Sequence, residues 1–204
     1  MQYPHFYTQV EPIKLYDPLS DILGAFEEGI VEIGYIDCVK FAGHSCPTVA
    51  GAYLMAKEGL KALFGDTLPQ RGFVKVEIKD AKDHGVAGVV GNLIAFITGA
   101  SDEAGFKGLQ GKFSRNNLVS YHQPMEGEVT LSRTDTRDSV TLRYDPSSVP
   151  SDERMGSLMQ KQMAGAASKE EKTLFKILWQ QRVETILLET ERRDTLITTI
   201  YNKG

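Results

Sequence analysis

The sequence predicts an α+β protein: strands and helices folded into one domain, followed by a C-terminal helical hairpin. Three observations lead there. Strand-like and helix-like hydrophobic patterns alternate through the first 145 residues, and a Pro/Ser-rich break follows at Asp145-Pro146-Ser147-Ser148-Val149-Pro150. Beyond the break the apolar residues fall at helical spacing. The boundaries are therefore expected at 1–148 for the α+β domain and 149–204 for the helical tail.

Asp17-Pro18 reads as an N-cap with proline at the first helical position, and Leu19, Ile22, Leu23 and Phe26 then mark one face of a short helix before Gly29. Ile30 to Phe41 is rich in Ile, Val, Tyr and Phe at even spacing and predicts a strand with Cys38 near its end. After Ala42-Gly43-His44-Ser45, residues Val49, Tyr53, Ala56, Leu60 and Leu63 recur at three and four, with Lys57, Glu58 and Lys61 on the other face, so a helix is expected. Gly72 to Lys79 has the composition of a strand. Val86 to Thr98 is a buried apolar stretch that period alone leaves open between helix and strand. Short strands are expected at Leu118–Tyr121, Glu128–Arg133 and Ser139–Tyr144, forming an antiparallel sheet. In the tail, Met155, Leu158, Met159 and Met163 supply one helix's apolar side. The capping box Ser168-x-x-Glu171 starts a second helix striped by Phe175, Leu178, Trp179, Val183 and Ile186.

Composition sets outer limits on function. With 204 residues, 41% hydrophobic and 25% charged, the chain is an ordinary globular protein, neither disordered nor fibrous. A formal charge of -4 gives no reason to bind nucleic acid or an anionic membrane. The apolar stretch Val86–Ala100 is shorter than the roughly 20 residues of a spanning helix and carries Asn92 and three glycines. Residues 1–14 lack a secretory pattern, so a cytoplasmic location is expected. Two cysteines, Cys38 and Cys46, cannot build a disulfide framework or a four-cysteine zinc module.

The chemistry concentrates in Phe41-Ala42-Gly43-His44-Ser45-Cys46-Pro47. Pro47 opens a helix and so places Cys46 at its N-cap, where free backbone N–H groups and the positive dipole end favour a thiolate. His44, two residues earlier in a glycine-preceded turn, can bring a ring nitrogen to the same point. A thiolate with an imidazole suits zinc or a similar divalent metal better than calcium or magnesium. Cys38 has three readings: a third ligand, a redox partner of Cys46, or an inert core thiol. His84 and His122 are further candidate metal ligands, each weighed against an ordinary exposed loop histidine. Lys112 and Arg115 could bind an anion in the glycine-punctuated loop, although Gly108-Leu109-Gln110-Gly111-Lys112-Phe113 lacks the phosphate-loop spacing and a solvated basic turn is the plainer description. The tail methionines read as a pliable core or dimer seam.

At His44-Ser45-Cys46-Pro47, followed by Gly51 and the helix Tyr53-Leu54-Met55-Ala56, the chain resembles the FmdE/FwdE-like family, the E-type component of formylmethanofuran dehydrogenase. The likeness continues through Thr98-Gly99 and Gly111-Lys112 to Asn117-Leu118 and covers roughly residues 17–145. It implies a mixed four-stranded sheet with packed helices, and a metal, commonly zinc, held by the His and Cys of the motif. The chain departs from the family pattern at Ala100, where a second cysteine is common, and at Thr48, where glycine is usual. The helical tail also replaces the zinc ribbon of some relatives. These departures point to Cys38, His84 and His122 as substitute ligands. The family name is not an activity, because the molybdenum or tungsten chemistry of the dehydrogenase complex belongs to a different component.

The expected function is that of a zinc-type metal-binding protein with His44 and Cys46 as first ligands, an open position for water or a small-molecule ligand, and a homodimeric state. Two rivals stand beside it. One is a metal-independent enzyme with Cys46 as nucleophile and His44 as base; the other is an interaction module docking onto an oxidoreductase partner.

Overall fold

Residues 2–204 are described by a computed structural model. The chain opens with a single 3-10 turn, His5–Thr8, that buries Phe6 and Tyr7. Strand β1 (Ile13–Tyr16) pairs antiparallel with β2 (Ile30–Ile33), Ile13 opposite Ile33 and Tyr16 opposite Ile30, in a small two-stranded sheet. Between them lies α1 (Pro18–Leu23), capped by the Asp17 carboxylate, which accepts the Leu19 and Ser20 N–H groups at 3.1 Å each, and closed by Gly24 in the left-handed region. The helix is shorter than the spacing predicted. Ile22, Leu23 and Phe26, expected on one helical face, are 66%, 64% and 51% exposed.

The stretch Ile30–Phe41 is not one strand. Gly34 ends β2 and N-caps α2 (Tyr35–Ala42), with the Asp37 carboxylate reaching back to the Gly34 N–H at 3.0 Å. The one-sided cap from the Asp37 carboxylate outweighs β-branched composition here. The same residues also satisfy a helical period, since Tyr35 and Cys38, three apart, are both fully buried. Cys38 thus sits on a helix face inside the core and not at a strand end.

Helix α3 (Pro47–Phe64) follows the predicted spacing and is the central element, packing on α2 and against the main sheet. Val49, Tyr53, Leu54, Met55 and Leu60 are at most 1% exposed, and each such large side chain contributes about 1.5–3 kcal/mol relative to exposure. Strand β3 (Val74–Ile78) comes next. The undecided stretch is α4 (Ala87–Thr98), ended by Gly99 in the left-handed region. Strands β4 (Val119–Ser120), β5 (Val129–Arg133) and β6 (Ser139–Tyr144) match the three short predicted strands.

The tail forms the expected hairpin, α5 (Met155–Met163) and α6 (Lys169–Leu188), with the Ser168/Glu171 capping box in place. It does not end there. A short helix α7 (Arg193–Leu196) leads into β7 (Ile197–Asn202), which pairs antiparallel with β6, Val140 opposite Tyr201. The fold is α+β as predicted, and the main sheet has five strands in the order β4-β3-β5-β6-β7 where four were expected. It is mixed because β4 runs parallel to β3 while the other pairs are antiparallel. Alternate residues Val74, Val76, Ile78, Val129, Leu131, Val140 and Leu142 are buried, giving the sheet one apolar face.

Gly51 sets how closely α3 approaches the sheet. A Cβ there would fall 2.7 Å from Cζ of Tyr144 on β6, so only glycine admits the ring at this height.

Candidate functional site

The turn between α2 and α3 is built from its backbone outward. Gly43 leaves α2 with φ 76°, its N–H bonded to the Val39 carbonyl at 2.9 Å. His44 is exposed, and its Nδ1 lies 3.0 Å from the Ala42 carbonyl. A carbonyl can only accept, so Nδ1 donates in this contact and the neutral ring has its lone pair on Nε2. Cys46 is the N-cap of α3 in extended conformation, and its Sγ accepts the Val49 N–H at 3.5 Å. The sequence reading of Cys46 at a helix start with Pro47 at the first position holds in detail.

Three other parts of the molecule fix this turn. Ser45 Oγ is 2.9 Å from the Tyr35 hydroxyl on α2. The Ser45 carbonyl accepts from Trp179 Nε1 at 2.9 Å and Gln180 Nε2 at 3.5 Å, both on α6. The Pro47 carbonyl accepts the Tyr144 hydroxyl at 2.9 Å from β6. Burial raises the Tyr35 and Tyr144 phenols well above their ordinary value, so both stay neutral in these bonds at working pH. Tyr35, Tyr144, Trp179 and Gln180 carry no motif in the sequence. The one available signal was Gly51, which marks the close approach of Tyr144.

The other predicted residues lie elsewhere. Cys38 is fully buried, and burial, aided by the nearby Asp37, pushes its thiol up to about 12. Both cysteines are free thiols. His84 and His122 come together with each other, at a separate cavity of about 760 Å³ that also takes in Asp80 and Asp83. His84 Nδ1 is 3.6 Å from Asp80, and the His122 N–H donates to the Asp80 carbonyl at 3.0 Å; both rings are exposed. Lys112 is exposed in a tight turn with Leu109. Arg115 is buried away from it, its Nη2 2.6 Å from Asp17, whose other oxygen takes Arg71 at 3.1 Å. Arg71 also donates to the Phe96 and Ile97 carbonyls at the end of α4. Asp17 therefore joins two arginines that clamp the start of α1 to α4.

The donor set tests the implied metal. Among the described residues, no group of three or more His, Cys, Asp or Glu side chains is placed to hold one ion. His44 and Cys46 are the right chemical types for zinc. Two protein donors, however, fall short of the three or four of resident zinc sites.

The model of the family described as "FmdE, Molybdenum formylmethanofuran dehydrogenase operon" matches residues 41–194. The chain belongs to the FmdE family. The match includes the His44–Pro47 turn and runs through α5 and α6, beyond the 17–145 span of the motif resemblance. A solved structure, that of a tungsten formylmethanofuran dehydrogenase FmdE-like protein from Syntrophus aciditrophicus, is 16% identical. The alignment covers 84% of this chain and 73% of that one, with a TM-score of 0.41. No curated protein matches the chain. No helix is long and apolar enough to cross a membrane among the described residues.

Proposed function

We propose that this FmdE-family chain acts through the His44–Pro47 turn as a binding site for an exchangeable soft divalent ion, zinc or similar. Cys46 Sγ and His44 Nε2 serve as its protein donors, and water or a small-molecule ligand fills the remaining positions. The observation that carries the reading is the His44 Nδ1–Ala42 carbonyl bond, which favours the tautomer with its lone pair on Nε2, two residues before the N-capping Cys46 sulfur. With two protein donors the ion exchanges readily with a chelator. We further propose a cytoplasmic location and a homodimeric state, the second supported by the exposed apolar Ile22, Leu23 and Phe26.

Equilibrium dialysis against zinc tests the site: about one ion per chain is expected, lost in His44→Ala and in Cys46→Ala. Binding unchanged in both variants would reject it. The Val49 N–H directed at Cys46 Sγ also favours a second reading, Cys46 as a metal-free nucleophile with His44 as base. A thiol probe separates the two. Zinc should slow Cys46 labelling if the sulfur is a ligand and leave it unchanged if it is not.

A further inference from the structure

Beside the turn lies a second feature that the metal reading does not use. The α5–α6 hairpin and the start of α3 enclose a cavity of about 220 Å³, walled by Pro47, Met155, Met159, Leu178 and Trp179. One charged side chain lines it, Arg182. Its Nε donates to the Val149 carbonyl at 2.8 Å, which fixes the plane of the guanidinium. Among the described residues no carboxylate or other acceptor meets its two terminal nitrogens. Pro47 is the first residue of α3, so the positive end of an 18-residue helix abuts the same space.

An apolar wall with one half-buried, unpaired guanidinium is complementary to an amphipathic anion. The volume lies below the roughly 300–1,000 Å³ of drug-sized pockets, which limits the occupant to a short chain. The two methionines give the wall the pliability to close around such a chain. We infer that this cavity binds a small organic carboxylate, its apolar body between Met155, Met159, Leu178 and Trp179 and its carboxylate on the terminal nitrogens of Arg182. The site is independent of any ion at His44 and Cys46.

Trp179 is the chain's one tryptophan, so its fluorescence reports on this cavity directly. The test is a titration with hexanoate, and with hexan-1-ol as the uncharged counterpart, both in the presence of a chelator. A saturable change in Trp179 emission is expected with hexanoate, and hexan-1-ol should bind about tenfold or more weakly. Arg182→Gln should bring hexanoate down to the level of the alcohol without altering the alcohol's own affinity. Gly156 is an exposed lining residue with nothing within 4 Å of where its Cβ would be, so Gly156→Leu should crowd the cavity and weaken both ligands while far-UV circular dichroism stays native. The inference is overturned by equal binding of acid and alcohol, by hexanoate binding that survives Arg182→Gln, or by no saturable change at all. If Gly156→Leu does not fold, the Arg182→Gln comparison decides alone.

Discussion

The His44–Pro47 turn and the cavity of His84 and His122 have opposite strengths. The cavity is the larger space and holds more metal-type side chains, two histidines and two aspartates, yet both rings are exposed and its one side-chain contact to a histidine is the 3.6 Å approach of Asp80. The turn offers only two such side chains, but β6 and α6 hold its backbone carbonyls and α2 holds the Ser45 hydroxyl, each through a buried or half-buried hydrogen bond. A site needs side chains held at fixed positions, and rigid neighbours supply that where composition does not. The contrast is why the turn, and not the richer loop region, carries the functional proposal.

Of the substitutions that test this contrast, Gly51→Ala should have the largest effect. Forcing the Tyr144 ring off α3 should cost about 3 kcal/mol by urea unfolding, the upper end for over-packed sites, and weaken zinc binding as the Pro47 latch is lost. Zinc affinity unaltered in a destabilised variant would show that the latch does not organise the turn.

Raising the pH should come next, and it separates the core thiol from the turn. The Cys38 thiol is raised on folding, so the folded state keeps its proton where the unfolded chain has lost it. The stability this contributes is complete below the unfolded value near 9 and is lost as pH climbs toward about 12. Between pH 8 and 10.5 the loss should be on the order of 2 kcal/mol, and Cys38→Ala should remove that part of the slope while leaving zinc binding intact. The buried Tyr35, Tyr53 and Tyr144 phenols are raised too and add to the alkaline loss in both proteins.

Trp179→Phe, which removes the donor to the Ser45 carbonyl and keeps a smaller aromatic ring in place, should cost at least about 1 kcal/mol and lower zinc affinity. The smallest effect belongs to the other region. His84→Ala and His122→Ala should each change stability by less than about 0.5 kcal/mol and leave zinc binding at the turn untouched. A marked loss of metal in either would move the site out of the turn.

Much of the fold was legible because local signals agreed with tertiary packing. Cys46-Pro47 at the head of α3, the alternation of β3, β5 and β6, and the Ser168/Glu171 box all read correctly for that reason. The failures came where two periods fit the same residues. Tyr35 to Phe41 satisfies both strand and helix spacing, and the decision rested on the Gly34–Asp37 cap. Strand β7 carries little local signal because Ile197-Thr198-Thr199-Ile200 follows a long helical run, and its reason to be extended is the edge of β6 with which it pairs. At the site, the motif residues were visible in the sequence and their supports were not. Trp179 lies 134 residues from the Ser45 carbonyl it holds, and Tyr144 lies 97 from Pro47. No local pattern records a contact made at that separation.

The proposed site places metal chemistry on Cys46 and His44 and not on the other cysteine or the other histidines. Titration with cobalt(II), a spectroscopically visible stand-in for zinc, tests it most directly, because a cobalt–thiolate bond adds a charge-transfer band in the near ultraviolet. One such band per chain is expected in the wild type and in Cys38→Ser, lost in Cys46→Ser and weakened in His44→Ala. A band that survives Cys46→Ser, or no thiolate band in the wild type, would contradict it.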